Sequence, residues 1–366
     1  MTLNSFFPSR TITWYLAKTF LVRILAVVAG MALILQTLDL LSESGRILAY
    51  EGNGQAQILR YISLRMPQIV SWPILPFSVL LATIITLTTL NQNSEVISLK
   101  ASGLSAHQVL APLIVAALGV AIVSFAFNDR VVARATATLD TWRKVDYGPI
   151  PVDRGDRTNV WVRRGNDLIH ASRISGRGAG ARLAGVSLYE REAGRLTYVI
   201  LADAGRPEGN GWRVTNARRF DVASGRQSAL GNPLVAQGVR PDQFTLSSVS
   251  ADGLSFGALS AAIDDLRDAG RPTKALEGNL WHKLSGPLSA VLMPLLGAVA
   301  AFGVARSGKL FIRAVIGMAL GFAYFVADNF ALAMGTLGAY PPFLAAWAPF
   351  LLFLLVGEAV LIRTEE

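Results

Sequence analysis

The sequence predicts an α-helical membrane protein of six transmembrane helices, in two groups of three, with an extracytoplasmic all-β, jelly-roll-like domain inserted between them. Three observations lead there. Hydrophobic residues make up 52% of the chain and charged residues only 16%, against about 25% charge in an ordinary soluble domain. The apolar residues gather in 16–130 and 284–362, while 130–280 has the composition of a soluble protein. Within that middle stretch long apolar runs give way to short alternating ones, the period of strands.

A bilayer core of roughly 30 Å takes about 20 apolar residues at helical rise. Six segments qualify: 16–41, 67–91, 108–128, 284–304, 310–332 and 341–362. Phe20 to Leu41 is too long for the apolar part of a signal peptide and lacks a small-residue cleavage site, so it is expected to remain as the first span. Pro67, Pro73 and Pro76 cluster at the start of the second, where packed neighbours can satisfy the freed carbonyls. The first span carries Arg23, the fifth Asp328 and the sixth Glu358.

Lysine and arginine near the helix ends set the orientation. With the N-terminus in the cytoplasm, the inner side collects Arg10, Lys18, Lys100, Arg306, Lys309, Arg313 and Arg363. The outer side holds Arg46, Arg60 and Arg65, and the short loop Gly335-Thr336-Leu337-Gly338 holds none. Both termini are therefore expected inside and residues 130–280 outside.

The middle domain reads as strands. Asn159-Val160-Trp161-Val162-Arg163 alternates, Gly165-Asn166-Asp167 turns, and Leu168-Ile169-His170-Ala171 follows. Val186-Ser187-Leu188-Tyr189 and Leu196-Thr197-Tyr198-Val199-Ile200 flank Glu192-Ala193-Gly194, and Asn210-Gly211 signals a hairpin before Trp212-Arg213-Val214 and Phe220-Asp221-Val222. Short strands at this spacing predict a sandwich or jelly roll. Over 256–269 the period becomes helical, with Leu259, Ala262, Ile263 and Leu266 on one face and Gly270 as the stop. The domains expected are 1–130 for the first three spans, 131–255 for the β domain, 256–280 for a connecting helix and 281–366 for the last three spans.

Several function classes fall away. A net charge of +9 suggests nucleic acid, but the arginines are scattered through the middle domain rather than gathered on one helix or motif; anionic lipid or a phosphorylated substrate suits a basic membrane protein better. The chain has no cysteine, hence no disulfide, thiolate or cysteine zinc site. Gly303-Val304-Ala305-Arg306-Ser307-Gly308-Lys309-Leu310 approaches a phosphate-binding loop, yet Leu310 stands where a magnesium-binding Ser or Thr belongs and no strand precedes it. A cytoplasmic turn with positive-inside charges is the simpler reading. His107, His170 and His282 lie in three regions without metal spacing, and no nucleophile elbow or paired-carboxylate frame occurs. The chain is not expected to be an enzyme or to bind a cofactor or metal.

Two features invite a functional reading. Asp328-Asn329 lies near the outer end of the fifth span, either lining a substrate path or snorkelling to the headgroups. The cytoplasmic loop Asn93 to Gly103 places Val96, Leu99 and Lys100 at helical spacing from Glu95, with Gly103 set to stop a short amphipathic helix. Such a helix lies on the membrane surface or docks into a cytoplasmic partner.

At this loop the sequence resembles the LptF/LptG family of lipopolysaccharide-export permeases, on its LptG side. The resemblance covers nearly the whole chain: Ser94-Glu95 through Ala101-Ser102-Gly103, Leu266-Arg267-Asp268-Ala269-Gly270-Arg271, Trp281-His282-Lys283, Gly286-Pro287-Leu288, Asp328, and Tyr340-Pro341-Pro342. It implies one permease half of an ABC-type extractor in the bacterial inner membrane, paired with an LptF-like second subunit. A cytoplasmic LptB-like ATPase dimer would dock on the coupling helix through Ser94, Glu95, Leu99 and Gly103, using ATP and magnesium. Lipopolysaccharide or a similar glycolipid would enter sideways between spans one and five. It would then pass to the β domain and onward to LptC-like and LptA-like periplasmic proteins.

Each buried CH₂ contributes roughly 0.8 kcal/mol, so a lipid with several acyl chains resists water by tens of kcal/mol and must move from one apolar surface to another. Val160, Val162, Ile169, Leu188 and Val199 are expected to line the interior of the β domain, and Asp39, Arg46, Asp328 and Asn329 the helical part of the path. The family expects basic residues at the outer end of the first span, whereas Leu40-Leu41-Ser42-Glu43-Ser44-Gly45-Arg46 offers one arginine and a glutamate. Two other readings stand beside this one: the LptF-type paralogue, and a membrane-anchored periplasmic scaffold that transports nothing.

Overall fold

In the computed structural model the described residues are 7–71, 74–149, 157–164, 166–176, 180–192, 194–239, 244, 250–268, 271–302 and 310–365. They form two compact units, one of residues 1–150, 251–260 and 274–366, the other of 151–250 and 261–273. Pro73, Gly165, Ala193, Gly270 and the Gly303–Lys309 turn lie outside the described residues.

The first unit is helical. α1 runs from Arg10 to Ala49, starting where the Ser9 hydroxyl accepts the Ile12 N–H at 3.4 Å. Its 40 residues span about 60 Å, twice a bilayer core, so its last turns stand clear of the hydrocarbon. The continuous span expected over 67–91 is instead two helices, α2 (Gln55–Val70) and α3 (Ile74–Gln92), separated at Ser71. The physical reason lies in composition: α2 carries Gln55, Gln57, Arg60, Arg65 and Gln68, whereas α3 has no charged residue and is mostly apolar. α4 (Glu95–Ala101) and α5 (Ala106–Phe127) follow, α5 opened by a reciprocal cap between Ser105 and Gln108.

α5 does not stop near residue 130. It continues through a wide turn at Asn128–Val132 into α6 (Ala133–Arg143), and among the described residues the first strand is Arg157–Arg164. The charges Asp129, Arg130 and Arg134 give this stretch a soluble composition although its backbone stays helical. After the strands come α7 (Phe256–Asp268), α8 (Lys274–Phe302), α9 (Leu310–Thr336) and α10 (Pro342–Glu365).

Five helical stretches among the described residues are long and apolar enough to cross a membrane: Arg10–Ala49, Ile74–Gln92, Ala106–Arg143, Val315–Thr336 and Pro342–Ala359. α8 is the enclosed helix. It packs against α3, α5, α9 and α10 and buries Ser285, Ser289, Leu292, Met293 and Leu296. Gly297 permits this approach, since a Cβ there would stand 2.7 Å from the Thr83 methyl. A helix surrounded by helices has no need to match lipid on every face. α1 is the opposite case, with Leu25, Ile34 and Leu41 exposed along its length.

The second unit holds one antiparallel sheet of β1 (Arg157–Arg164), β2 (Asp167–Ser175), β3 (Arg182–Glu192), β4 (Arg195–Glu208), β5 (Gly211–Thr215), β6 (Ala217–Asp221), β7 (Gln227–Gly231) and β8 (Leu234–Val235). β5 and β6 pair with β4 in one continuous register, from Glu208↔Gly211 to Tyr198↔Asp221, so they are a single strand interrupted at Asn216. β7 and β8 lie beyond them. Counting β5 with β6, and β7 with β8, as one row each, the described strands follow one another across the sheet in sequence order. The hairpin turn predicted at Asn210-Gly211 falls one residue earlier, on Gly209-Asn210, because Gly211 already pairs with Glu208.

A row of left-handed residues crosses this sheet. Asn159 (φ +55), Gly185 (φ +60) and Asn216 (φ +56) sit in alternate strands, between regular pairs. Ser172 donates from its hydroxyl to the Gly185 carbonyl at 3.2 Å, and Asn216 Nδ2 donates to Asp203 at 2.8 Å. A left-handed residue resets which face the following side chains use. Burial therefore runs Ile169, Ala171, then Ile174 on β2, and Leu183, then Val186, Leu188 on β3. Gly185 is required twice over, by its φ and because a Cβ would meet the Ser172 hydroxyl at 2.5 Å. The buried face joins Val160, Val162, Ile169, Leu188, Ile200 and Trp212 in one cluster with Phe244.

Candidate functional site

The helical unit contains a cavity of about 650 Å³. Leu35, Leu38 and Asp39 of α1, Arg65, Gln68 and Ile69 of α2, Ile74 and Leu75 of α3, Phe125 of α5 and His282 and Lys283 of α8 line it. Its walls are mostly apolar, and its cations are Arg65 and Lys283 beside the carboxylates of Asp39, Asp129 and Asp252. An apolar cleft with few, placed charges suits an amphiphile.

Asp39 is the anchor of that rim. One carboxylate oxygen accepts Arg65 Nε at 3.1 Å and Nη2 at 3.0 Å, and the other accepts the Tyr61 hydroxyl at 2.6 Å. Tyr61 in turn accepts Arg143 Nη2 at 3.0 Å. One helical turn past Asp39, Glu43 accepts the Tyr147 hydroxyl at 2.8 Å and lies 3.9 Å from Arg143 and 3.4 Å from Arg46. Tyr61 and Tyr147 are buried against Ile47, Leu139 and Trp142. Burial, followed by the Asp39 hydrogen bond, pushes the Tyr61 phenol well above its ordinary value, and burial likewise raises Tyr147. Both phenols therefore stay protonated donors at any physiological pH. The C-terminal end of α1 is bound in this way to α2 and α6, not left loose.

Asp328 is buried, at 1% exposure, and its Oδ2 meets His282 Nε2 at 2.9 Å, while Oδ1 has no hydrogen-bond partner among the described residues. A snorkelling role is excluded by that burial. The carboxylate stands directly behind a cavity-lining histidine and ties α9 to α8. Asn329 points elsewhere: it is exposed, and its amide donates to the Phe325 carbonyl.

At the other end of α1, the Tyr15 hydroxyl donates to Glu95 Oε2 at 3.2 Å, and Asn93 Nδ2 donates to Oε1 at 3.3 Å. Glu95 begins α4, whose Val96 is buried in the same apolar cluster as Leu16 and Phe20 of α1. Ser94 adopts φ +59 at the helix start, and Gly103, at φ +88, ends it with its N–H on the Lys100 carbonyl. Leu99 is half-buried and Ile97 exposed. His107 and Glu358 meet nearby at 2.9 Å.

The structure thus brings Asp39 to the cavity, Asp328 to its back wall, and Val160, Val162, Ile169 and Leu188 to the buried face of the sheet. Arg46 lies outside the cavity lining, 3.6 Å from Asp146 and 5.8 Å over the Tyr147 ring. Val199 is a correction: it pairs with Tyr189 on the opposite face, and Ile200 takes the interior place opposite Leu188. Tyr61, Arg65, Arg143, Tyr147, Lys283 and Tyr15 were not foreseen from the sequence. A local signal existed for two of them, because Tyr61 and Arg65 are four residues apart within α2, the spacing of one helix face. No group of three His, Asp or Glu residues gathers for a metal among the described residues.

Residues 14–363 match the family of the lipopolysaccharide export system permease LptF/LptG. The lipopolysaccharide export system permease protein LptG of Escherichia coli (strain K12) is 25% identical over 97% of this chain and 99% of its own length. The protein of the same name from Haemophilus influenzae is 21% identical over 80% of this chain and 82% of its own.

Proposed function

Because the chain belongs to the LptF/LptG family of lipopolysaccharide export system permeases, we propose that it is the LptG-type half of an ABC-type transporter that lifts lipopolysaccharide, or a similar glycolipid, out of the bacterial inner membrane. The observation that carries this reading is the cavity, an apolar cleft whose cations Arg65 and Lys283 are set among fixed carboxylates. α8 is the sixth span, supported by its 29 residues and its place among four other helices. The first group of spans extends to about residue 150, and both termini face the cytoplasm.

The β domain lies in the periplasm as a jelly-roll-like fold. The burial of one face of its long sheet supports this, since a sheet covers its own apolar face by curling over it. The lipid passes from the cavity to that face, then to LptC-like and LptA-like proteins. An LptF-like subunit closes the other side of the cavity. α4 is the coupling helix, and a separate LptB-like ATPase dimer uses ATP and magnesium; this chain is non-catalytic and binds no cofactor of its own. The short α4, held by Tyr15 to the inner end of α1, supports a direct mechanical route from the ATPase to the helix that lines the cavity.

Gentle detergent extraction of the tagged chain tests this reading. A cytoplasmic ATPase and a second permease subunit are expected in stoichiometric yield. A chain recovered alone, in a form that still supports lipid release, overturns it.

A further inference from the structure

The inward face of the sheet holds one charge in an apolar row. Read across the strands, the directly opposed residues are Val162, Ile169, Leu188, Ile200, Arg219 and Ser228. The first four are buried. Arg219 is half-buried, and its guanidinium carbon lies 3.5 Å from the centre of the Tyr198 ring. Its Nε is buried with no hydrogen-bond partner among the described residues. One strand further, every residue of β7 is exposed. Arg219 therefore stands at the lip, where the apolar row meets water.

Leaving a guanidinium donor unpaired at an apolar edge is unfavourable unless something supplies an acceptor, because a buried donor without a bond bears its full desolvation cost. Stacking on Tyr198 fixes the plane of the fork and leaves its outer N–H groups available, an arrangement suited to the paired oxygens of phosphate or carboxylate. An apolar row that ends in such a fork matches an amphiphile with its anion at the boundary. We infer that Arg219, oriented by Tyr198, binds the phosphate or carboxylate of a glycolipid head group at the lip of the β domain, with the apolar part of the molecule directed along Ile200, Leu188 and Ile169. This rests on the export reading above and adds a substrate contact to it.

The test uses the full chain with its partner subunits in proteoliposomes. A photoreactive phenylalanine analogue replaces Ser228 at the lip or, in a second preparation, Leu38 in the helical cavity. Purified lipopolysaccharide is the probe, beside the same lipid after phosphatase treatment. ATP-dependent crosslinking at 228 is expected to fall about tenfold in R219Q, the scale of one charge-assisted contact, and to be only partly restored in R219K, which returns the charge without the stacked fork. R218Q, one residue along and on the exposed face, is expected to crosslink as wild type does. Protease resistance of the β domain identifies any variant that has simply unfolded, and R219M, which keeps the stem without the charge, then replaces R219Q. Dephosphorylated lipid giving the R219Q signal in wild type assigns the anion to phosphate; an unchanged signal that still depends on Arg219 assigns it to carboxylate. Loss of crosslinking on adding inorganic phosphate while a lipid without anionic groups crosslinks equally well overturns the lipid assignment in favour of a free-anion site. Crosslinking at 38 but not at 228, or at 228 without dependence on Arg219, overturns this inference and leaves the export reading standing. Absence of crosslinking at both positions with ATP hydrolysis intact overturns the export reading itself.

Discussion

Reversing the charge at the start of α4, Glu95→Arg, is expected to reduce lipid release to background, a loss of at least about tenfold, which corresponds to about 1.4 kcal/mol or more. The carboxylate has two local donors, Tyr15 at 3.2 Å and Asn93 at 3.3 Å. An arginine accepts from neither, and it presents a cation where the ATPase is expected to meet an anion. Both the partner contact and the tie to α1 go together. The milder Tyr15→Phe change separates them. It leaves the Glu95 charge in place but removes the donor, so ATP hydrolysis is expected to continue while lipid released per ATP falls about three-fold, in line with a surface hydrogen bond of under 1 kcal/mol. Release and hydrolysis measured in the same proteoliposomes check both. Equal release per ATP in wild type and Y15F would show that the stroke reaches α1 by another route.

Asp39→Ala is expected to destabilise the helical unit by about 2–4 kcal/mol, because it leaves the Arg65 guanidinium and the Tyr61 hydroxyl partly buried without their acceptor. Three hydrogen bonds converge on that carboxylate. The thermal midpoint of the detergent-solubilised chain is expected to drop by about 5 °C. Because Asp39, Tyr61 and Arg143 form one connected chain, Asp39→Asn and Tyr61→Phe are expected to be non-additive, with a coupling of about 1–2 kcal/mol in a double-mutant cycle. Strictly additive losses would mean that the three residues act separately and that the C-terminal end of α1 is held by packing alone.

What the sequence made legible and what it hid follow from the range of the interactions. The apolar runs that became α3, α5, α9 and α10 are visible because crossing a bilayer needs a minimum length. The turn residues of the sheet are visible because their backbone chemistry is local. Period-two reasoning fails at Val199 for an equally local cause: Val199 and Ile200 are adjacent β-branched residues on opposite faces, so alternation alone does not say which of them is buried. The merged second span fails because hydropathy averages across Ser71, where the helix actually breaks. Of the candidate site, Asp39 and Asp328 stand out in sequence as charges in apolar surroundings. Their partners do not. His282 lies 46 residues from Asp328, and Tyr15 lies 80 residues from Glu95, so only the folded chain brings them together. His282 had every appearance of an ordinary histidine until Asp328 was placed against it.

Export requires the power stroke and the β domain to act on opposite sides of one membrane. The chain has no cysteine, so single substitutions report cleanly: Ser98→Cys in α4 and Ser228→Cys in β7, each treated in intact spheroplasts with a membrane-impermeant maleimide. Labelling at 228 and protection at 98 until the cells are lysed is the predicted result. Labelling of both positions, or of 98 alone, contradicts the account.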